Sequence, residues 1–398
     1  MRKAVEYLGG ANALGFGEGK ILLKPNLTLD VAKKKRACTN PEVIAALIDL
    51  VREAGGEPFV GESSMVGCNT LSAYEKSGLK EICEEKNVTF IDFNSCETVH
   101  IKLPEGIFIK EIVVPKDIFS FSKIVSVPVL KTHLLTGVTL GLKNMKGMQC
   151  GNEKIKLHSA GIKELHTGIV DINTDFNGQI KSIRPDLVVI DGSYGQEGEG
   201  PIGGDVVKMD VIIAGTDAVA TDATACRVMG IDPYDIDHIK MAWERGLGEI
   251  DEGKIEILGE NIEDVARKFS YPYHGISKIR YSFFELAMGI VSHLRGTSEE
   301  ERVYQIVTDI LRTKPEITKE CRKCRRCIPI CPNSAISFSS KIKISHEKCT
   351  GCMICVEACP FHAIAMARIP LLKATKELLI TLSRVGIKAI AGRLKTKQ

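Results

Sequence analysis

Cys321-Arg-Lys-Cys324-Arg-Arg-Cys327-Ile-Pro-Ile-Cys331-Pro332 recurs 28 residues later as Cys349-Thr-Gly-Cys352-Met-Ile-Cys355-Val-Glu-Ala-Cys359-Pro360. The likeness runs past the cysteines, because Pro332-x2-Ala335-Ile336 returns as Pro360-x2-Ala363-Ile364, and this marks an internal duplication. Three thiolates spaced by two residues can wrap one face of an iron–sulfur cubane. The chain then bends at Cys-Pro, and the fourth thiolate reaches the neighbouring cluster. This spacing assigns Cys321, Cys324, Cys327 and Cys359 to one [4Fe–4S] cluster and Cys349, Cys352, Cys355 and Cys331 to a second. Zinc also takes four thiolates at C-x2-C spacing, but it needs neither a third Cys at that interval nor Cys-Pro after three residues, and here both occur twice. The C-x3-C-x2-C spacing of radical S-adenosylmethionine chemistry is absent, and all eight thiolates are used. The clusters are therefore expected to carry electrons rather than bind substrate.

With these residues in view, the segment 316–368 resembles the bacterial-type two-cluster ferredoxins, a small α+β fold. The first motif is crowded by Lys319, Arg322, Lys323, Arg325 and Arg326, whereas the second has Glu347, Lys348 and Glu357. Positive charge favours the reduced state, so the first cluster is expected at the higher potential, with a rim suited to an acidic carrier of the ferredoxin or flavodoxin kind. Such side chains also serve simply to offset cluster charge on a solvated face.

The surrounding chain sets the bounds. Its 398 residues, 44% hydrophobic and 26% charged, describe an ordinary globular protein of two or three domains. Fourteen cysteines would read as a disulfide scaffold in a short secreted chain, but eight of them within 39 residues of a long one indicate ligation. The opening Met1-Arg-Lys-Ala-Val-Glu has no signal-peptide apolar core, so a cytoplasmic location is expected. The net charge of +3 hides an asymmetry: residues 315–398 hold 16 Lys and Arg against five Glu, a balance of +11, which leaves −8 for residues 1–314. A basic tail on an acidic body suggests self-docking or an acidic partner. Phe338 and Phe361 are the tail's only aromatics and no nucleic-acid-binding motif is present, which argues against nucleic acid as a partner.

Upstream, apolar β-rich runs fall at Ile21–Leu23, Pro58–Val60, Val88–Ile91, Ile124–Val129, Leu187–Ile190 and Val211–Ala214. Helical patterns alternate with them at Pro41–Ala54, Leu71–Lys86, Ala160–Asn173, Thr216–Met229 and Tyr234–Arg245. The alternation predicts an α/β fold, a largely parallel sheet flanked by helices, over residues 1–260. A helical connector is expected over 261–314, the two-cluster domain over 315–368, and a basic amphipathic helix over 369–398. That last helix is compatible with peripheral contact to an anionic membrane surface, although packing on the acidic front domain is the simpler reading.

In open α/β sheets ligands sit beyond the carboxyl ends of the strands, and those positions are polar here. Lys24 and Asn26 follow the first strand, Glu62 and Ser63 the second, Lys131 and His133 the fourth, and Asp191 the fifth. Gly137-Val-Thr-Leu-Gly141-Leu-Lys143-Asn144-Met-Lys146-Gly147 adds cationic and amide donors. Lys24, Asn26, Glu62, Ser63, Lys143, Asn144, Lys146 and Asp191 together suit a small anionic ligand, a carboxylate or phosphate. Any one of these lysines alone reads as an ordinary surface cation. His133, beside Lys131, is the leading catalytic candidate, as a general acid/base or as a metal ligand with Glu62 or Asp191. Gly198-Glu-Gly200-Pro-Ile-Gly203 has G-x-G-x-x-G spacing, but Asp205–Ala214 after it reads as strand, and a pyrophosphate site requires a helix there. A turn over the sheet edge is expected instead, with Gln196 and Glu197 able to reach the site.

Ile21-Leu-Leu-Lys-Pro-Asn26, Thr39-Asn-Pro-Glu-Val43, Val127-Pro-Val-Leu-Lys-Thr-His133, Leu142-Lys-Asn-Met-Lys-Gly147 and Asp191-Gly192 resemble, as a set, the prokaryotic domain-of-unknown-function 362 family over residues 18–250. That resemblance implies an iron–sulfur protein often joined to a ferredoxin module, and assigns no reaction. His133-x3-Gly137-x3-Gly141-x-Lys143 is similar to the glycine-rich site of nickel-dependent lactate racemases over those few residues, without further histidine ligands. The expectation is a protein with two [4Fe–4S] clusters, exchanging electrons with a small anionic substrate or a further small-molecule or metal cofactor in the α/β domain. The alternatives are a carrier whose α/β domain is only a docking scaffold, and an isomerase- or hydrolase-type enzyme with redox-sensing clusters.

Overall fold

The computed structural model describes residues 1–28, 36–65, 68–151, 153–160, 162–175, 182–198, 200–201, 204–270, 315–345, 348–349 and 352–366. Most of the expected connector and all of the expected C-terminal helix lie outside these residues. Among the described residues no helix is long and apolar enough to cross a membrane. The chain divides into one unit of residues 1–272 with 357–360, and another of 273–356 with 361–398.

The first unit opens with the short helices α1 (Arg2–Tyr7) and α2 (Gly10–Ala13), then strand β1 (Lys20–Pro25). Helix α3 (Pro41–Glu53) begins where the Asn40 side chain accepts from the Glu42 amide at 3.2 Å, with Pro41 in the first turn, where a missing N–H costs nothing. It buries Val43, Ile44, Leu47, Ile48, Leu50 and Val51 and leads to β2 (Glu57–Glu62). The expected single helix over Leu71–Lys86 is two, α4 (Thr70–Ser77) and α5 (Leu79–Glu85), because Gly78 takes a left-handed φ of 83° and ends the first. Strand β3 (Phe90–Asp92) follows, then a hairpin of β4 (Thr98–Lys102) and β5 (Glu111–Pro115) that the sequence reading did not foresee.

The expected strand Ile124–Val129 is interrupted at Pro128, which has no N–H to give a ladder. It becomes β6 (Lys123–Val127) and β7 (Val129–His133), with β8 (Gly137–Thr139) turning back on β7. Helices α6 (Gly141–Asn144), α7 (Glu153–Ala160) and α8 (Ile162–Ile172) precede the long strands β9 (Leu187–Glu197) and β10 (Asp205–Gly215). Helices α9 (Ala218–Val228), α10 (Asp237–Glu244) and α11 (Ile262–Val265) complete this unit. The expected absence of a helix after Gly203 is met, since β10 pairs antiparallel with β9, and Gln196 and Glu197 lie within β9 rather than in a loop.

The sheet runs β3-β2-β1-β6-β9, parallel throughout. β7 continues along the same side of β9 as β6, and β8 and β10 are antiparallel additions. From β1 the order proceeds one way through β2 and β3 and the other way through β6 and β9, so the topological switch point lies between β1 and β6. One face packs Ile21, Leu23, Val60, Val125 and Leu187 against Ile44, Leu47 and Ile48 of α3, each fully buried apolar side chain contributing about 1.5–3 kcal/mol.

In the second unit β11 (Pro315–Ile317) pairs antiparallel with β14 (Ile364–Met366), and β12 (Ile336–Phe338) with β13 (Ile342–Ile344). A short helix α12 (Ile354–Glu357) ends at Glu357, the first of residues 357–360, which belong to the first unit. The duplication seen in the sequence survives in the fold, since each Cys-Pro-x2-Ala-Ile run feeds a strand, β12 or β14.

Candidate functional site

Beside the switch point the carboxyl ends of β1, β2 and β7 converge with the Gly141–Gly147 segment. Lys24 was expected just beyond β1 but lies inside it, fully buried, where its Nζ donates to Glu62 Oε2 at 2.8 Å and Asn144 Oδ1 at 3.2 Å. Glu62 at the end of β2 also accepts from the Ser63 amide at 2.8 Å. Burial pushes the Lys24 amine down and the Glu62 carboxyl up, each shift opposed by the other's charge. Gly147 covers the pair: a Cβ there would stand 2.2 Å from Glu62 Oε1 and 2.5 Å from Lys24 Nζ, so any larger residue would have to displace the pair.

Asn26 and Asn144 extend this network. Asn144 Nδ2 donates to Ser126 Oγ at 3.0 Å, and its Oδ1 accepts from Asn26 Nδ2 at 3.2 Å. Asn26 Oδ1 accepts from Lys131 Nζ at 2.7 Å. Lys131 also donates to the Ala37 carbonyl at 2.7 Å. An ammonium has three donors, so one remains. Lys131 and His133 lie within β7, not after it as expected, because the strand resumes beyond Pro128. Both are fully enclosed, and burial lowers Lys131 to about 7.

His133 Nδ1 accepts from the Leu135 and Thr136 amides at 3.1 and 3.2 Å, which places the proton of the neutral ring on Nε2. That atom lies 3.2 Å from Oε1 of Glu357, a residue of the same compact unit, off the axis of an aligned hydrogen bond. Burial, then the Lys143 charge, lower His133 to about 4, so the ring is neutral at pH 7.

Lys143 and Lys146 are half-buried on the segment above. Burial lowers Lys143 to about 8 and Lys146 well below its ordinary value. The root of this segment is fixed by Asp222 of α9, which accepts from the Gly141 and Leu142 amides at 2.6 and 2.9 Å. Ser63 Oγ donates to the Gly147 or Gln149 carbonyl at 2.8 or 2.9 Å, and accepts from Lys154 of α7. Lys154 is buried, donates also to the Ser63 and Ser64 carbonyls, and is lowered by burial to about 8.

Lys154 and Asp222 were missed in the sequence reading. Lys154 sits in the polar run Glu153-Lys-Ile-Lys-Leu157, which reads as a solvated helix face. Asp222 did carry a signal, since it is a lone carboxylate in the small apolar helix Ala218-Val-Ala-Thr-Asp-Ala-Thr-Ala-Cys226. Asp191 is committed elsewhere: its carboxylate accepts from the Asn40 amide at 2.8 Å and from Ser193 Oγ at 2.6 Å, tying β9 to the start of α3. Behind Lys143 lie His166 of α8 and His238 of α10, both fully buried, with Nδ1 atoms 3.2 Å apart. Among the described residues no three His, Cys, Asp or Glu side chains converge as ligands of a single metal ion.

The cysteines of the second unit suit a cluster, whose thiolates each bind a different iron and so need not meet at one point. The Cys355 thiol is pushed up by burial and then by Cys352, Cys349, Cys331 and Cys327, so two cysteines of the first motif, Cys331 and Cys327, lie near the second motif. The Ala335 amide donates to Cys331 Sγ at 3.2 Å, the type of bond that tunes a cluster sulfur. Left-handed backbone at Lys323 and Arg325, φ 54° and 63°, lets the first loop wind between its ligands. Arg322 stacks 5.0 Å from the Phe361 ring and Arg325 3.9 Å from Phe338, beside an exposed Cys324.

Comparison with known proteins agrees with both halves. The family described as "Domain of unknown function (DUF362)" matches residues 21–227, and the "4Fe-4S dicluster domain" matches residues 320–368. Thylakoid-associated protein sll1697 of Synechocystis sp. is 29% identical over 244 residues, covering 59% of this chain and 71% of its own. The lactate racemase apoprotein from Thermoanaerobacterium thermosaccharolyticum aligns at TM-score 0.34 and 14% identity, over 54% of this chain. This chain spans about half of that structure, 49% of it.

Proposed function

The chain belongs to the DUF362 family and is an iron–sulfur protein, and on that premise we propose that it is an oxidoreductase that exchanges electrons with a small anionic substrate bound in the α/β unit. The observation that carries this reading is the concentration of Lys24, Lys131, Lys143, Lys146 and Lys154 against two carboxylates, Glu62 and Glu357, in a largely buried site with more cationic than anionic groups. Enclosing more ammonium groups than carboxylates is costly, and an incoming carboxylate or phosphate offsets that cost. Two [4Fe–4S] clusters, one held by Cys321, Cys324, Cys327 and Cys359 and one by Cys349, Cys352, Cys355 and Cys331, would supply one-electron transfer when bound. Lys131 would hold the anion with its remaining donor and, titrating near neutrality, exchange a proton with it. His133, neutral, would present Nε2–H as a fixed donor.

The site makes a pH prediction. Lys131 is lowered to about 7, and Lys143 and Lys154 to about 8. A bound anion favours their protonated forms, so binding takes up protons above these values. Affinity for phosphate or a small carboxylate should be highest below about pH 7 and weaken by up to roughly tenfold per pH unit for each linked proton from pH 7 to 9. Calorimetry on anaerobically purified protein measures it. Lys131→Ala and His133→Ala should abolish this binding and turnover while cluster spectra stay normal. Electron transfer unaffected by both would favour the carrier reading, in which the α/β unit is only a scaffold.

The rim formed by Lys319, Arg322, Lys323, Arg325 and Arg326 suits an acidic carrier such as a ferredoxin or flavodoxin. All five side chains are exposed, and Arg322 and Arg325 are held on aromatic faces. Replacing Arg322, Arg325 and Arg326 by Gln should slow reduction by such a carrier roughly tenfold at low salt, with the difference vanishing at high ionic strength. An unchanged low-salt rate would sink the docking idea.

A further inference from the structure

We propose that Lys143 is the nucleophile of the α/β site, condensing through its amine with the carbonyl group of a small anionic ligand to form an imine. This rests on the anion-site reading and adds a chemical class to it: the ligand carries an aldehyde or ketone beside its negative charge. In the step, the Lys143 nitrogen bonds to the carbonyl carbon, the carbon–oxygen bond breaks, and that oxygen leaves as water with the two protons of the amine. No oxidant or reductant is consumed, and hydrolysis reverses it.

The lysines of the site differ in what holds them. Lys24 is tied to Glu62, Asn144 and the Pro25 carbonyl, Lys131 to Asn26 and the Ala37 carbonyl, and Lys154 to Ser63 and the Ser64 carbonyl. A hydrogen-bonded ammonium is a fixed charge and a poor nucleophile. The Lys143 amine makes no hydrogen bond to any described residue, and the residue is half-buried where Lys24 and Lys131 are sealed. Its root is rigid, because Asp222 grips the two amides before it and Asn144 after it is bonded to both Ser126 and the Lys24 carbonyl.

Its surroundings favour the neutral amine. Lys131 and His133 of β7, Lys146 on its own segment, His166 of α8, His238 of α10 and Glu357 are the titratable groups facing it. Three of these are histidines that burial keeps uncharged at pH 7, and it is burial that lowers Lys143 to about 8, against the opposing charge of Glu357. A desolvated lysine beside other cations is the arrangement that makes an amine reactive near neutral pH. Lys131 and His133 Nε2–H stand near as donors for the departing oxygen.

Pyridoxal 5′-phosphate, an aldehyde with a phosphate, is a suitable probe. The anaerobic holoprotein is incubated with it, reduced with cyanoborohydride and mapped by peptide mass spectrometry. Lys143 should be labelled roughly ten- to a hundredfold faster than exposed lysines, reflecting its larger neutral fraction, and inorganic phosphate should protect it. Lys143→Arg should lose this label while the cluster spectra stay normal. Phosphate binding measured by calorimetry, with Lys143 labelled no faster than surface lysines, would overturn the nucleophile and leave the anion site standing. Neither binding nor protection by phosphate would overturn both.

Discussion

Lys24→Met should cost the α/β unit about 3–5 kcal/mol of stability, because it leaves Glu62 buried with a charge that nothing adjacent replaces. The pair is enclosed at 0 and 3% side-chain exposure, so water cannot compensate. Lys154 acts on Glu62 only electrostatically and is already committed to Ser63 and Ser64. The double variant Lys24→Met/Glu62→Leu should recover most of the loss, since replacing a whole buried pair by apolar groups of similar size is often nearly neutral. Breaking the exposed Lys80–Glu75 pair should change stability by less than about 1 kcal/mol. Trp243, the chain's single tryptophan, lies in α10 of the same unit, so its fluorescence during denaturation reports the unit concerned. A Lys24→Met loss below about 1 kcal/mol, matching the exposed control, would show that the pair is not the linchpin of the site.

The same residues mark how far a linear reading reaches. Strands β1, β2, β6 and β9 and helices α3, α9 and α10 were legible because apolar period and the terminal signals Asn40-Pro41, Asp217 and Gly230 agreed locally. Lys24, Asn26, Glu62, Lys131 and Asn144 were legible as one set because a parallel sheet gathers strand ends that are far apart in sequence, here by 120 residues between Lys24 and Asn144. Their burial was not legible. Polar residues at strand ends normally meet solvent, and it took the Gly141–Gly147 segment, pinned by Asp222, to close over them. Lys154 stayed hidden for a different reason: its role is set by three oxygens of Ser63 and Ser64 some 90 residues away, and nothing in its own helix distinguishes it from Lys156, which is exposed. Asp191 illustrates the converse, a strand-end carboxylate whose partners Asn40 and Ser193 make it a brace between β9 and α3.

Cys331→Ala should remove the cluster of the second motif rather than that of its own, cutting iron from about eight per chain to about four. The reason is the spacing, in which the fourth thiolate after Cys-x2-Cys-x2-Cys reaches the neighbouring cluster, and Cys331 and Cys327 both come near enough to act on Cys355 with Cys349 and Cys352. Iron content alone does not identify which cluster has gone, but pairs of substitutions do. If Cys331 and Cys352 serve one cluster, Cys331→Ala/Cys352→Ala loses no more iron than either single variant and retains about four irons. Cys331→Ala/Cys324→Ala then strikes both clusters and retains almost none. Ligation of each cluster by its own motif predicts the reverse, about four irons left in the second pair and almost none in the first. Potentiometry on the Cys331→Ala protein adds an independent check, because the surviving cluster would be the one ringed by Arg322, Lys323, Arg325 and Arg326, whose positive charge stabilises the reduced state and should give it the higher potential of the two. A survivor with the lower potential, together with the reversed iron pattern, would mean that the duplicated motifs close on themselves and that Cys331 approaches Cys355 without sharing its cluster.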